Sequence, residues 1–423
     1  MTAFCISATA SRQGKTLLTT ALLWHFRGRV RPFKIGPDFI DPQFHKSVCG
    51  TDAVNLDTFI MNAEQVVWLF EHYATEKVAI LEGVMGYYDG EDKGCSTYSV
   101  AKLLGIPTLL VLDGSGSYIT LSAVLKGMIT YRNDHTVGGV ILNKIASVSH
   151  YALIKKQLRK DHPNLRVFGW IHKDLPALRE THLGLDLVER DRIGTVAQSV
   201  LEHLDMAGIT ALKIPQPKQP KSYPFPPIRK RDQRIAIVHD ANFSFLYYDN
   251  MMVLREMFSD VFFVDATRDE TIPPDTDFLY IPGGYVESDA AYSAVQHADR
   301  FRNSLIRHAA AKPVYAECAG LLYLANRVDD KTMAGVLDVD FVLHNRPQRL
   351  GYYYDASGIR GHAFHYTAPT EASCTKGFGT LSKTPGGDGR PGSWKSGTVY
   401  GTYLHTMFRA FPYILIPPTQ ETT

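Results

Sequence analysis

Short, nearly continuous apolar runs recur through the first half of the chain, at Ala3–Ala8, Val78–Leu81, Thr108–Leu112 and Val137–Leu142. Runs of that length without polar alternation predict strands buried on both faces. Between them, Leu17–Phe26 and Gln65–Tyr73 space their apolar residues with helical periodicity. Strand and helix in alternation predict an α/β fold with a parallel, doubly wound sheet, whose ligands sit at the carboxyl ends of the strands. The second half repeats the pattern with Ile235–His239, Val261–Asp265, Phe278–Ile281 and Val314–Ala316. From Ala363 onward the pattern reads as turn-rich and mixed. Ser382–Gly397, dense in glycine, proline and serine, predicts a surface loop.

Ile214–Pro227 carries six prolines in fourteen residues, followed by a charged run to Arg234. Proline removes backbone donors and favours extended structure, so this segment predicts a linker between two α/β domains. The expected division is 1–212, a linker over 213–231, and 232–423. The formal net charge of +2 gives no broad electrostatic footprint for nucleic acid. No apolar stretch reaches membrane-spanning length, and the N-terminus lacks the pattern of a signal peptide. Five scattered cysteines without a CxxC pair argue against structural zinc or a redox pair. A reduced, cytoplasmic protein acting on small molecules is the expectation, with a homodimer left open.

Ser7–Thr16, read as SATASRQGKT, lies between a predicted strand and helix. A phosphate loop needs backbone N–H groups facing anionic oxygens, a lysine for the terminal phosphates and a hydroxyl for Mg2+. Gly14, Lys15 and Thr16 meet that need, although Thr9 stands where the first glycine is usual. The other reading is a strand-to-helix turn with a surface lysine. Glu82, which ends a second buried strand, is placed to hold Mg2+ with Thr16. Two acid-rich strings, KIGPDFIDP (Lys34–Pro42) and LEGVMGYYDG (Leu81–Gly90), each follow a strand. They bring Asp38, Asp41, Glu82 and Asp89 to the same sheet edge, where carboxylates bind metal, position substrate or take up protons. The alternative is that they only shape turns.

Val314–Leu324, VYAECAGLLYL, has the form of a nucleophile elbow with Cys318 at a small-residue turn, where a helix dipole would favour the thiolate. PGGYVES (Pro282–Ser288) offers glycine-rich backbone N–H groups for an oxyanion hole. GTYLHTMF (Gly401–Phe408) presents His405 as a base for Cys318.

FKIGPDFIDPQFH, NLDTF (Asn55–Phe59), EGVMGYYDG, GVILNKIAS (Gly139–Ser147) and GWIHKD…THLGL (Gly169–Leu185) together resemble the cobyrinic acid a,c-diamide synthases. IAIVHDANFSFLYYDN (Ile235–Asn250), the Gly283-Gly284 pair, the elbow, GHAFHY (Gly361–Tyr366) and YLH resemble the corrinoid-amidase branch of class I glutamine amidotransferases. The resemblance implies a P-loop NTPase-like (dethiobiotin-synthetase-like) domain followed by a glutaminase domain. It implies ATP as co-substrate, Mg2+, and amidation of the a and c acetate carboxylates of cobyrinate by ammonia from glutamine, within cobalamin biosynthesis. Asp38, Asp41, Glu82 and Asp89 would form the substrate and Mg-phosphate site. Cys318 and His405 would be catalytic, with the N–H groups of Gly284 and Ala319 as the oxyanion hole. Class I enzymes in general carry a glutamate two residues beyond the histidine; here that position is Met407, as is typical of the branch. The expectation is therefore a dyad, with His405 held by a backbone carbonyl.

Hydrogenobyrinate and nickel-sirohydrochlorin stay open as acceptors. Cobyric acid synthases share the Cys/His half but generally lack GPDFIDP. A non-catalytic P-loop switch would carry no glutaminase half. His362 and His365, three apart, are read as part of the glutaminase fold rather than as metal ligands.

Overall fold

A computed structural model of the chain describes residues 1–175, 180–181, 184–185, 190–212, 222–387 and 389–415. The chain divides into two compact units, Met1–Pro224 and Phe225–Thr423. The break falls within the proline-rich segment, of which residues 213–221 lie outside the described residues, as does part of the THLGL string.

The first unit begins with β1 (Thr2–Ala8), α1 (Lys15–Phe26), β2 (Val30–Ile35), α2 (Ile40–Cys49), β3 (Val54–Leu56), α3 (Ala63–Tyr73) and β4 (Val78–Glu82). It continues through α4 (Thr97–Leu104), β5 (Thr108–Asp113), α5 (Ile119–Thr130), β6 (Val137–Ile145), α6 (Val148–Asp161) and β7 (Arg166–His172). A short ribbon, β8 (Glu180–Thr181) with β9 (Gly184–Leu185), then α7 (Arg190–Leu201) and α8 (Met206–Thr210) complete it. The seven-stranded sheet has the order β3-β2-β4-β1-β5-β6-β7, and every recorded pairing in it is parallel. Helices cover both faces, which is why the central strands lack polar alternation. The apolar runs predicted four of these strands; β2, β3 and β7 complete the sheet. Chain order reverses at β1, whose neighbours are β4 and β5, so a crevice opens at its carboxyl end.

The second unit starts in the same style with β10 (Arg231–Val238), α9 (Tyr248–Met257), β11 (Phe258–Val264), β12 (Phe278–Ile281), α10 (Asp289–Val295), α11 (Asp299–Ala309), β13 (Val314–Glu317) and α12 (Ala319–Leu324). A small sheet uses β14 (Arg327–Val328), β15 (Lys331–Thr332) and β16 (Asp340–Leu343). Next come β17 (Arg349–Asp355), β18 (Arg360–His365), β19 (Thr367–Pro369, in the small sheet), α13 (Glu371–Cys374), β20 (Gly379–Ser382), β21 (Arg390–Ser396) and β22 (Val399–Thr402). The main sheet runs β11-β10-β12-β13-β22-β21-β20-β17-β18. It is parallel from β11 to β22 and antiparallel beyond.

This architecture corrects the loop expected over Ser382–Gly397. β21 occupies Arg390–Ser396 of that stretch and pairs with both β20 and β22, and Trp394 within it is buried. The small residues that suggested a loop have a packing reason. A Cβ on Gly392 would overlap the Leu381 side chain, and Pro391 faces Thr380 where the ladder shifts register. Proline is tolerated in strands at such irregularities. After Ala363 short strands (the end of β18, then β19, β20, β21 and β22) and α13 alternate with turns, in keeping with the turn-rich, mixed pattern expected there.

Leu110 in β5 is fully buried between the sheet and a cluster that includes Tyr87, Tyr98 and Leu125. Leu110→Ala should lower the unfolding free energy of the first unit by about 2–5 kcal/mol, measured by urea denaturation.

Candidate active sites

The nucleotide loop leaves β1 at Ala8 and enters α1 at Lys15. Gly14 adopts a left-handed conformation (φ 97°), and a Cβ there would collide with Asn143 Nδ2. That amide donates to Gln13 O at 2.9 Å, so the end of β6 clamps the loop from behind. Lys15 Nζ donates to Ala10 O at 3.1 Å, across the curl of the loop. Burial lowers its pKa from the usual lysine value. Where Thr9 replaces glycine, its hydroxyl bonds to Gln13 Oε1 at 2.5 Å, closing the loop on itself.

Parallel register brings the charged groups together. Glu82, the last residue of β4, lies level with Ile6 on one side and Lys34 on the other. Thr16 Oγ1 donates to Glu82 Oε1 at 2.8 Å, and His45 Nε2 lies 2.7 Å from Glu82 Oε2. Lys34 Nζ is 3.5 Å from Glu82 Oε1 and 3.4 Å from Asp38 Oδ2, and it pairs directly with Asp41. Lys34, His45 and Glu82 are all buried. An isolated buried charge costs several kcal/mol, so each of these persists only with its partners. Burial pushes the Glu82 carboxyl up, but Lys34 and His45 outweigh it and hold it far below the carboxylate range. At Asp41, burial and the charges of Glu82 and Asp38 prevail over Lys34, raising it to about 6.

Asp38, Asp41, Glu82 and Thr16 thus gather around Lys34. Asp89 does not touch that cluster; its Oδ2 accepts from Gly86 N at 2.7 Å. Gly86 packs against the carbonyl of Thr9, and Tyr87 N donates to Ala8 O at 2.8 Å, so the Asp89 turn braces the nucleotide loop. Lys34 and His45 were not singled out by sequence reasoning. Both lie inside the FKIGPDFIDPQFH string, where a lysine ending a buried strand was the available signal.

In the second unit, β13 ends at Glu317 and α12 begins at Ala319. Cys318 between them has φ 47° and ψ −104°, a conformation an L-residue holds only when its surroundings enforce it. Its N–H donates to Thr402 O at 2.8 Å, fixing the elbow to β22. The N–H groups of Ala319 and Gly284 point at the sulfur. A Cβ on Gly283 would collide with the His405 ring, 3.1 Å from Nε2 and 3.4 Å from Cys318 Cβ. Only a glycine lets this backbone lie against His405 and Cys318 together.

Two expectations change here. The turn does not yield a resting thiolate, because burial and the charge of Glu287 push the Cys318 thiol well up, against the opposing N–H groups. A helix of six residues is too short to reverse that. The His405 ring also meets a carboxylate that the dyad reading did not foresee: Nδ1 lies 3.0 Å from Glu317 Oε2. Its main chain exchanges two 2.8 Å bonds with His362. His362 and His365 alternate across β18, on opposite faces, and so cannot share a metal ion. His365 stacks on Tyr403 with ring centroids 3.6 Å apart.

A glycine-lysine-threonine loop opening α1 in one unit and a cysteine elbow beside a histidine in the other fit the class of glutamine-dependent amidotransferases. Residues 234–413 match the family model described as the CobB/CobQ-like glutamine amidotransferase domain. A cobyrinate a,c-diamide synthase of Caldanaerobacter subterraneus subsp. tengcongensis is 33% identical, over 95% of this chain and 93% of that protein. Those of Listeria monocytogenes and Salmonella typhimurium are each 30% identical, over 96% and 98% of this chain respectively and 96% of either protein. The chain belongs to the cobyrinate a,c-diamide synthase family, glutamine-dependent amidotransferase ligases. Among solved structures, a chloroplast FtsY from Physcomitrella patens is 15% identical, with a TM-score of 0.30 over 46% of this chain and 65% of that one. A glutamine amidotransferase from Thermotoga maritima is 12% identical, with a TM-score of 0.29 over 41% and 75%. Among the described residues, no helix is long and apolar enough to cross a membrane.

Two outcomes follow from this geometry. Gly14→Ala should abolish detectable ATP binding by calorimetry, since the loop must open to seat the methyl group. Burial, aided by the charge of Arg349, lowers His365 from 6.5 to about 3. Its folded pKa lies below the unfolded one, so the unfolded chain takes up the proton first. This stabilising contribution is complete above pH 6.5 and fades as pH falls towards 3. At pH 5 the loss should be roughly 2 kcal/mol, and His365→Gln should flatten that part of the stability–pH curve.

Proposed function

We propose that the chain amidates the a and c acetate carboxylates of cobyrinate in turn, using ATP and glutamine. The reading is carried by the pairing of a phosphate loop facing a buried acid cluster with a complete nucleophile elbow in the same chain.

Cys318 Sγ attacks the side-chain amide carbon of glutamine while His405 Nε2 takes the thiol proton. The carbonyl oxygen, now an anion, is held by the N–H groups of Gly284 and Ala319. His405 returns the proton to the amide nitrogen, the C–N bond breaks and ammonia leaves a thioester. Water then attacks the thioester, giving its proton to His405, which passes it to the departing sulfur as glutamate is released. Burial holds the Cys318 thiol up, which gives His405 its part as the general base.

In the first unit, the Lys15 ammonium and the backbone N–H groups before α1 bind the phosphates of ATP. Thr16 Oγ1 and the Glu82 carboxylate, 2.8 Å apart, are hard oxygen donors suited to Mg2+. The ion neutralises charge on the phosphates when bound. Three carboxylates outnumber Lys34, and the cluster's surplus negative charge fits a site that holds a cation. A substrate carboxylate oxygen takes the γ-phosphoryl group, ADP leaves, and ammonia displaces phosphate from the acyl phosphate to give the amide. Asp38, Asp41 and Glu82 line the site where this occurs, and the Asp89 turn braces the loop beside it.

Cys318→Ser should reduce glutamine-driven amidation by at least ~1,000-fold, while ammonium salts restore it. The measurement is ADP release together with mass spectrometry of cobyrinate, its metal-free counterpart and nickel-sirohydrochlorin. Two acid-to-amide mass shifts on cobyrinate alone are expected. Unchanged turnover with glutamine in the serine variant would sink the proposed mechanism.

A further inference from the structure

We propose that Glu317, the residue immediately before the nucleophile, is the orienting carboxylate of the glutaminase and does the work of the triad acid that Met407 cannot do. The inference rests on the reading of Cys318 and His405 given above.

Along β13, Tyr315 and Glu317 share one face of the strand, while Ala316 points to the other. Tyr280 is the register partner of Tyr315 on β12 and lies on the same face. The two phenols converge on the carboxylate. Tyr280 donates to Oε2 and Tyr315 to Oε1, both at 3.2 Å. Their rings stack with centroids 5.8 Å apart, and Phe408 packs against both. The remaining strong bond of Oε2 goes to His405 Nδ1 at 3.0 Å. Glu317 and His405 side chains are 2% and 3% exposed, so water does not compete for that bond.

This placement specifies the imidazole. An ionised carboxylate accepts but cannot donate, so the proton of the neutral ring sits on Nδ1. Nε2 then carries the lone pair, on the side where Gly283 lies against both the His405 ring and Cys318. When His405 receives the thiol proton, the resulting imidazolium lies against the carboxylate. The tyrosines hold the acid because burial and the charge of Glu317 keep both phenols protonated far beyond the working pH range. A purely structural role would leave the carboxylate bound to the two phenols and indifferent to the ring.

The test uses the full-length enzyme. Glu317→Gln preserves the shape but offers an amide N–H that can donate to Nδ1 and force the wrong tautomer. Its glutaminase kcat should fall by ~100- to 10,000-fold with the KM for glutamine changed less than about threefold. Glu317→Asp should recover part of that loss. Nitrogen-15 NMR of histidine-labelled wild-type enzyme at alkaline pH, assigned with His405→Gln, should show Nδ1 protonated and Nε2 bare. A bare Nδ1 in the wild type, or a wild-type kcat in Glu317→Gln, overturns the proposal. If the glutamine variant does not fold, as thermal melting would show, the aspartate variant and the wild-type tautomer decide it. Cys318→Ser run alongside separates the two ideas. Its retention of glutamine hydrolysis refutes the glutaminase reading itself, whereas loss there with full activity in Glu317→Gln refutes only the role of Glu317.

Discussion

A carboxylate closing a buried parallel strand must find partners that replace water, and each unit answers that demand once. Glu82 ends β4 and Glu317 ends β13, both almost wholly out of solvent. At Glu82 the partners are Thr16, Lys34 and His45; at Glu317 they are Tyr280, Tyr315 and His405. Each set contains a residue of a candidate site. The cost of burying the acid is thereby turned into the positional order of the site, because removing any partner leaves a charge stranded. Loops alone would not fix these atoms as closely as strand register does.

The two environments differ in a way that suits their tasks. Around Glu82 positive and negative groups alternate in one cluster, with Lys15 nearby, and the net balance invites ions. Around Glu317 the partners are neutral phenols and one imidazole, and the balance favours a single proton moving locally. One crevice is built to bind charge and the other to relocate it.

Much of this was legible before any coordinates. Strand–helix alternation predicted the α/β units, and spacing located Lys15, Thr16, Glu82, Cys318 and His405. What stayed hidden depends on neighbours distant in sequence. Lys34 becomes part of a site only because β2 lies in register with β4, and no local pattern states that pairing. Glu317 reads as the polar end of an apolar strand until β22 carries His405 alongside it. The strand at Arg390–Ser396 was misread because glycine, proline and serine usually mark loops. Here they are small enough to let Leu381 into the core, a tertiary reason that overrides local preference.

The buried thiol at the elbow also bears on durability. Peroxides and electrophiles attack thiolates far faster than thiols, and oxidation beyond the sulfenic level is irreversible for most proteins. Cys318 is enclosed and strained, and burial holds its thiol up. An elbow so arranged keeps the Cys318 sulfur in a poorly oxidisable form, so the burial that hinders deprotonation also lengthens its chemical lifetime.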